Sequence, residues 1–360
     1  MSFRAWCEIA PPDVLARMAR DGTPAQREAA LRNLAASAAI RARRSFVANA
    51  VRTLNLLPGE LAHVAATPAH EMVTVYDVKH GSDANLPGTR RRGMTSAKSP
   101  DVAVNEAFDG ADKTYHFFQE VFDRKSIDGN DMEIVSSVHY RTDLDNAFWN
   151  GSEMLYGDGS GQFFAKGSLT HALDVIGHEL THGITQYAAN LEYRLQPGAL
   201  NESFSDVFGS LVKQRVLGQT AAQADWLIGA GILAPGIHGS ALRSLKAPGT
   251  AYQFDNQPGT MKDYMNLPDD ADPAHDSGGV HINSGIPNHA FYLAATAIGG
   301  NAWEAPGRIW YDVLTHRLTP SSNFVQAARA TVASAKALFG PSSQQTTAVR
   351  EAWRAVGVLH

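Results

Sequence analysis

With 360 residues, 44% of them hydrophobic, the chain is long enough for a large core, and for two domains plus an additional segment. The formal net charge of -5 gives no sign of a nucleic-acid partner, and no stretch approaches the apolar length of a membrane span. A single cysteine excludes an intramolecular disulfide framework.

Charge is unevenly spread along the chain. Residues 1–70 hold nine arginines against five carboxylates, a balance of +4 that leaves -9 for the remainder. A basic arm beside an acidic body points to an electrostatic partner within the same molecule. Met1 to Arg20 contain no apolar run long enough for a secretory signal, so the expectation is export by a non-classical route, with cytoplasmic retention as the alternative. Residues 13–44 read as helical, broken at Asp21-Gly22 and restarted at Thr23-Pro24. The basic run Arg41-Ala42-Arg43-Arg44 and the stretch to His70 read as a linker open to processing.

From Glu71 the pattern alternates, with Met72, Val73, Val75 and Tyr76 suggesting a strand, followed by a Gly/Pro/Arg-rich loop over 83–93. Phe108, Tyr115, Phe118 and Val121 at helical spacing predict a helix over 102–123. Strands follow at 133–141 and 153–156, and Asn146 to Trp149 reads as an edge strand beside a cleft. After a helix near 174–187, Leu191 to Arg194 reads as a loop and a second helix runs to about Gly218. Beyond Ile282 the chain is mainly helical, near 286–297, 302–316, 322–338 and 343–355.

Chemistry concentrates in Asp174 to Gly183, which contains His178-Glu179-Leu180-Thr181-His182, an H-E-x-x-H arrangement. On a helix, residues four apart share a face, so both histidines present ring nitrogens to one metal ion and Glu179 stands beside it. A hydrolytic zinc site takes three protein ligands and keeps one open position, which makes Glu202 the candidate third ligand. Asp206 lies four residues after Glu202 and is placed to accept from the outer nitrogen of a ligating histidine. The bland alternative is a pair of core helices with ordinary salt bridges.

The order H-E-x-x-H, eighteen residues (183–200), then Asn201-Glu202-x-x-Ser205-Asp206 resembles the thermolysin family of zinc metallopeptidases. Asp276 to Gly285 (D-S-G-G-V-H-I-N-S-G) and Asn146 to Gly151 (N-A-F-W-N-G) are similar to two further segments of that family. The metzincin position for a third histidine holds Ala188, and the gluzincin aminopeptidases have a different gap. The resemblance runs from about residue 71 to the C-terminus. It implies an α+β, two-domain zincin with a β-rich N-terminal catalytic domain at 71–190, ending in the zinc helix, and a helical C-terminal domain at 191–360.

It also implies roles. Glu179 becomes the general base, with His281 and Tyr193 as oxyanion donors and Asp276 orienting His281. Asn146 and Ala147 hold the substrate backbone, Trp149 lines the primed side, and Arg243 binds the carbonyl on the leaving-group side. Phe164, Val175 and Leu242 wall an apolar pocket, so cleavage is expected before Leu, Ile, Val or Phe. Pro11-Pro12-Asp13-Val14-Leu15 resembles the short pro-segment of protealysin-like members, implying that residues 1–70 are a removable segment, with a helical arm over about 1–44, folding against the cleft as an intramolecular inhibitor. Cys7 is either a thiolate ligand holding the enzyme latent or a small apolar contact. The expected cofactor is one zinc ion; the expected state is a monomer acting on peptide or protein substrates.

At calcium the sequence departs from the family pattern. Asp174 and Asp225 persist, but a glutamate position holds Lys213, later carboxylate positions hold Leu227 and Ala230, and a single-site aspartate reads as Ser240. Calcium takes six to eight oxygens, so the double site is expected to be absent, with the Lys213 ammonium as charge partner of the two aspartates. The alternative function is a catalytically inactive, zinc-containing peptide-binding relative.

Overall fold

The computed structural model describes residues 8–53 (backbone alone for 39–53) and 71–360. Cys7 and the linker residues 54–70 therefore lie outside the described residues. The arm forms two helices, α1 (Pro12–Asp21) and α2 (Pro24–Thr53). Pro12 opens α1 where its missing N–H costs nothing, and Val14, Leu15 and Met18 make its buried stripe. The helix runs past the expected boundary at 44 and takes in the basic run, because no Gly or Pro interrupts the Ala- and Arg-rich sequence before Pro58.

The N-terminal domain is built on a five-stranded mixed sheet, order β2-β1-β3-β5-β4, from β1 (Val73–Asp77), β2 (Thr89–Gly93), β3 (Ile134–Val138), β4 (Ala147–Trp149) and β5 (Met154–Tyr156). The sequence reading of 83–93 as loop is corrected here. Thr89 to Gly93 pairs antiparallel with β1, and its Arg90 and Arg91 face solvent in ion pairs with Glu71 and Asp77. Charge on an edge strand protects against further pairing but masks the hydrophobic alternation by which strands are read. At the other edge, β4 pairs antiparallel with β5, Ala147 opposite Tyr156 and Trp149 opposite Met154. The long helix α3 (Val102–Phe122) packs on the sheet, closed by Asp123 in the left-handed conformation.

Beneath β4 lies α4 (Leu173–Tyr187), crossed by α5 (Leu195–Leu217). Their approach depends on glycine. A Cβ at Gly209 would lie 2.4 Å from the Asp174 carbonyl oxygen, and one at Gly177 would meet the Gly209 Cα at 3.1 Å. With both side chains absent the backbones close up, and α5 is buried over most of its length, which is why its sequence shows no amphipathic stripe. Gly218, at φ 64°, terminates it. A two-stranded ribbon, β6 (Leu227–Ile228) and β7 (Arg243–Ser244), follows. Then come α6 (Asp276–Asn283), α7 (Gly285–Ile298), α8 (Ala305–His316), α9 (Phe324–Phe339) and α10 (Gln344–Ala355). These form the helical C-terminal domain, with the Trp310 and Trp353 rings stacked in its core. Among the described residues no helix is long and apolar enough to cross a membrane.

Candidate active site

The crossing of α4 and α5 brings His178, His182 and Glu202 face to face, all fully or almost fully buried. His178 Nδ1–H donates to Asp206 Oδ1 at 2.8 Å, and His182 Nδ1–H donates to Asn201 Oδ1 at 2.9 Å. Tying both Nδ1 atoms as donors leaves the Nε2 atoms bearing lone pairs. These lone pairs face each other at 2.9 Å, with Glu202 oxygens 3.5 Å from one and 3.4 Å from the other. Three electron-rich groups gathered in a buried space repel unless a cation lies among them. Tetrahedral zinc, with bonds of about 2.0–2.1 Å, separates its ligand atoms by roughly 3.3–3.5 Å, which matches the two Glu202 distances and asks the imidazole nitrogens to part by about half an ångström. Glu202 Oε2, buried and without a hydrogen-bond partner, fits the same ion. The donor set therefore suits zinc. Glu179 also lies within metal-binding reach of the two rings, but its Oε2 accepts the Trp149 N–H at 3.1 Å, a hold suited to a base beside the metal rather than to a ligand.

Burial disfavours charge at these groups, and the carboxylate–imidazole pattern decides where charge survives. Burial, then the neighbouring Glu202, pushes the Glu179 carboxyl well above the ordinary carboxylate range. Burial and His178 hold His182 well below the usual imidazole value, so it is neutral, the form that binds metal. At Asp206 burial works against charge, yet the Arg243 guanidinium and His178 keep it firmly ionised. Burial also opposes charge on His281, but Asp276 and Glu202 outweigh it and lift the imidazole to about 10.

His281 is aimed by α6. Asp276, Ser277, Gly278 and Gly279 all take left-handed backbone angles, a turn that folds the Asp276 carboxylate back onto His281. Its oxygens accept from the His281 backbone N–H and from Nδ1–H, both at 2.6 Å. Nε2–H then points into the cleft, 3.0 Å from the Tyr193 hydroxyl, which donates to Glu202 Oε1. Arg243 reaches Asp206 through Nε (2.9 Å) and Nη2 (2.8 Å), while its buried Nη1 has no hydrogen-bond partner among the described residues. Phe164, Val175 and Leu242 are fully buried in one apolar cluster. The Trp149 indole N–H donates to Gln186 Oε1 at 3.3 Å, while its backbone N–H meets Glu179.

Two contributors were not foreseen, Ser205 and Asn288, and a third, the arm, was expected against the cleft without the register of its contacts. Ser205 Oγ adds a second contact to His182 Nδ1 at 2.9 Å, and Asn288 Nδ2–H donates to Asp206 at 2.8 Å. The third is the arm, which lies in the cleft. Glu8 C=O accepts from His281 Nε2–H at 2.9 Å, Ile9 N–H donates to Ala147 C=O at 3.1 Å, and Ala10 N–H donates to Asn146 Oδ1 at 3.2 Å. Asn33 on α2 locks the arm further, its Oδ1 accepting from the Asp145 N–H at 2.7 Å and its Nδ2–H donating to the Asp145 carboxylate at 3.3 Å. Ser205 stands in the motif and Asn288 follows the His281 block, but nothing local in the sequence announces contacts spanning more than a hundred residues.

At the expected calcium position, Lys213 Nζ lies 2.8 Å from Asp174 Oδ2, 3.0 Å from Asp225 Oδ1 and 2.6 Å from the Leu227 carbonyl oxygen. Burial would strip its proton, but the two aspartates more than compensate and hold it charged.

A buried H-E-x-x-H pair crossed by a glutamate-bearing helix, with a second histidine–tyrosine pair opposite, defines a metallopeptidase of the zincin class. The comparisons agree. Residues 50–186 match the model of the thermolysin metallopeptidase catalytic domain, and residues 189–358 that of its alpha-helical domain. The chain belongs to the thermolysin family of metallopeptidases, a family of zinc-dependent endopeptidases. It is 43% identical to an extracellular metalloprotease of Pectobacterium carotovorum subsp. carotovorum over 99% of this chain and 98% of that one. It is 44% identical to bacillolysin of Bacillus amyloliquefaciens, over 81% of this chain and 51% of the relative. Among solved structures it resembles the precursor of protealysin from Serratia proteamaculans, with TM-score 0.82, 44% identity, and 98% and 99% of the two chains covered.

Proposed function

We propose that this chain is the precursor of a neutral endopeptidase that cuts peptide bonds on the amino side of apolar residues, with Glu179 as general base and the N-terminal arm as its inhibitor. The observation that carries the reading is the meeting of His178, His182 and Glu202 around one point, with Glu179 on one side and His281 on the other. Zinc held by these three residues supplies Lewis acidity to the attacking water and to the scissile carbonyl. Glu179, steadied by the Trp149 N–H, takes the water's proton and returns it to the departing amine, a role worth about 10²–10⁴-fold. His281 and Tyr193 donate to the developing oxyanion, and Asp276 holds the His281 ring in the donating orientation. Asn146 and Ala147 offer an acceptor and a strand edge to an extended substrate. Arg243 Nη1 is a ready donor to a substrate carbonyl.

The presence of Glu179, Tyr193 and His281 beside the three ligands favours a working enzyme over an inactive peptide-binding relative. The arm occupies Asn146, Ala147 and His281 together, the three groups a substrate needs. Latency therefore ends when residues 1–70 are removed. Lys213 takes the place of calcium as counter-charge, making the fold depend on zinc rather than calcium. The name of the Pectobacterium relative, an extracellular metalloprotease, favours work outside the cell.

The test is peptide hydrolysis by full-length protein before and after the arm is trimmed in trans. Activity that appears with trimming, disappears on chelation and returns with zinc supports the proposal. Equal activity before trimming would remove the inhibitor role.

A further inference from the structure

Residues 8–10 enter the cleft with the polarity and register of a substrate. The carbonyl that meets the oxyanion donor His281 belongs to Glu8, and the next N–H, which would be the leaving amine, belongs to Ile9 and pairs with Ala147. Ala10 N–H follows on Asn146. Ile9 is fully buried, and is a residue type expected after the cleaved bond.

Resting on the peptidase reading above, we infer that the Glu8–Ile9 peptide bond is itself a substrate of this enzyme, cut in cis and slowly, so that the arm is a substrate-like inhibitor. Water adds to the Glu8 carbonyl carbon, forming the new C–O bond as the C–N bond to Ile9 breaks. Glu179 carries one water proton to the Ile9 nitrogen as the C–N bond breaks, and the second, left on the new Glu8 carboxyl, passes to the same amine, leaving a Glu8 carboxylate and an Ile9 ammonium.

The surroundings explain why the bond survives long enough to inhibit. On the acyl side the Glu8 carboxylate accepts from Ser37 Oγ at 2.5 Å and Asn146 Nδ2 at 2.7 Å. On the amine side Ile9 is buried, and three residues later Pro12 opens α1, itself fastened to the body by Asp13 to Asn256 at 3.0 Å and by Arg17 over the Phe254 ring. The new ends stay opposed after the cut, and a tethered amine rejoins its acyl partner at high effective concentration. Among the described residues Arg243 Nη1 makes no hydrogen bond, so the arm leaves unused a clamp that a good substrate would engage.

Intact mass of full-length, zinc-loaded protein, followed over time beside Glu179→Ala, tests this. A species beginning at Ile9 should accumulate in the wild type and not in the variant. Ile9→Leu should keep that species and Ile9→Asp should suppress it at least about tenfold, the discrimination an apolar pocket makes. A second readout needs no zinc: in metal-free full-length protein the Ile9 and Ala10 amides should exchange slowly, and Asn146→Ala should free the Ala10 amide. Absence of the Ile9 species from protein that hydrolyses an added apolar peptide once trimmed overturns the inference and leaves the peptidase reading intact; failure of both assays overturns both. Fast exchange at Ile9 and Ala10 overturns the register itself.

Discussion

Replacing Lys213 by methionine should cost far more than the loss of a surface ion pair. The ammonium bridges α5 to the start of α4, touching Asp174, Asp225 and the Leu227 carbonyl. The Asp225 side chain is 43% exposed, so its pairing contributes little once solvent screening is counted. Asp174 is different: its side chain is 3% exposed, and without Lys213 its remaining support is the Val175 N–H at 2.9 Å. Removing one partner of a buried pair costs about 3–5 kcal/mol, and the lower end applies because Asp174 keeps that bond and water reaches Asp225. About 3 kcal/mol lowers the Tm of a domain of this size by roughly 6–12 °C. The assay is thermal unfolding in a Glu179→Ala background, which prevents autolysis, with and without calcium. Lys213→Met should fall by that amount with no calcium response. Lys213→Glu gathers three carboxylates, and should be less stable without calcium and partly rescued by it. A Lys213→Met Tm within 1 °C of the parent, or loss of parental stability on selective calcium removal, would refute the reasoning.

Other predictions concern the arm, the sheet and the zinc ligands. Burial and the neighbouring Asp276 raise the docked Asp13 carboxyl to about 7 from an ordinary 3.8, so docking is undiminished below 3.8, weakens as pH rises, and carries its full penalty above about 7. Asp13→Asn should flatten that dependence and slow activation at pH 8 by about tenfold, read as time to half-maximal activity; an unchanged lag refutes it. His139, between Asp158 and Asp101 at 2.8 Å each, is lifted to about 9 from 6.5 by the Asp158 bond first and then Asp101, against burial. The raised value means its stabilisation is complete below 6.5 and lost as pH climbs through 9. After discounting for partial exposure, His139→Gln should cost about 1–2 kcal/mol at pH 6 and nothing at pH 10 by denaturant titration; an equal cost at both contradicts it. Asp206→Asn should weaken zinc binding about 10–100-fold in chelator competition, since the His178 ring and Arg243 both depend on that carboxylate, and affinity within twofold of the parent would count against it.

The zinc centre was readable because its information is local. His178 and His182 are one helical turn apart, as are Glu202 and Asp206, so spacing alone gives the shared faces. What spacing cannot give is the depth at which two helices meet, and Gly177 and Gly209 show their purpose only once the crossing is seen. The strand at 89–93 was hidden by three arginines at an exposed edge, where charge replaces alternation. The N–H of Trp149 illustrates a further limit, since a side-chain motif carries no sign that a backbone donor will steady Glu179. Likewise the contacts of Glu8, Ile9 and Asn33 join chain segments more than a hundred residues apart, and only the closed structure sets their register.

The central claim is that this site hydrolyses peptides by zinc and Glu179. Its most direct test compares trimmed wild type with Glu179→Ala, each shown to hold one zinc per chain, against a protein substrate whose new N-termini are sequenced. The account predicts that wild type generates fragments beginning with Leu, Ile, Val or Phe, while the variant binds zinc equally and loses at least about a hundredfold in rate. Zinc-loaded, trimmed wild type that binds peptide and cuts none, or a variant that cuts as fast as its parent, would contradict it.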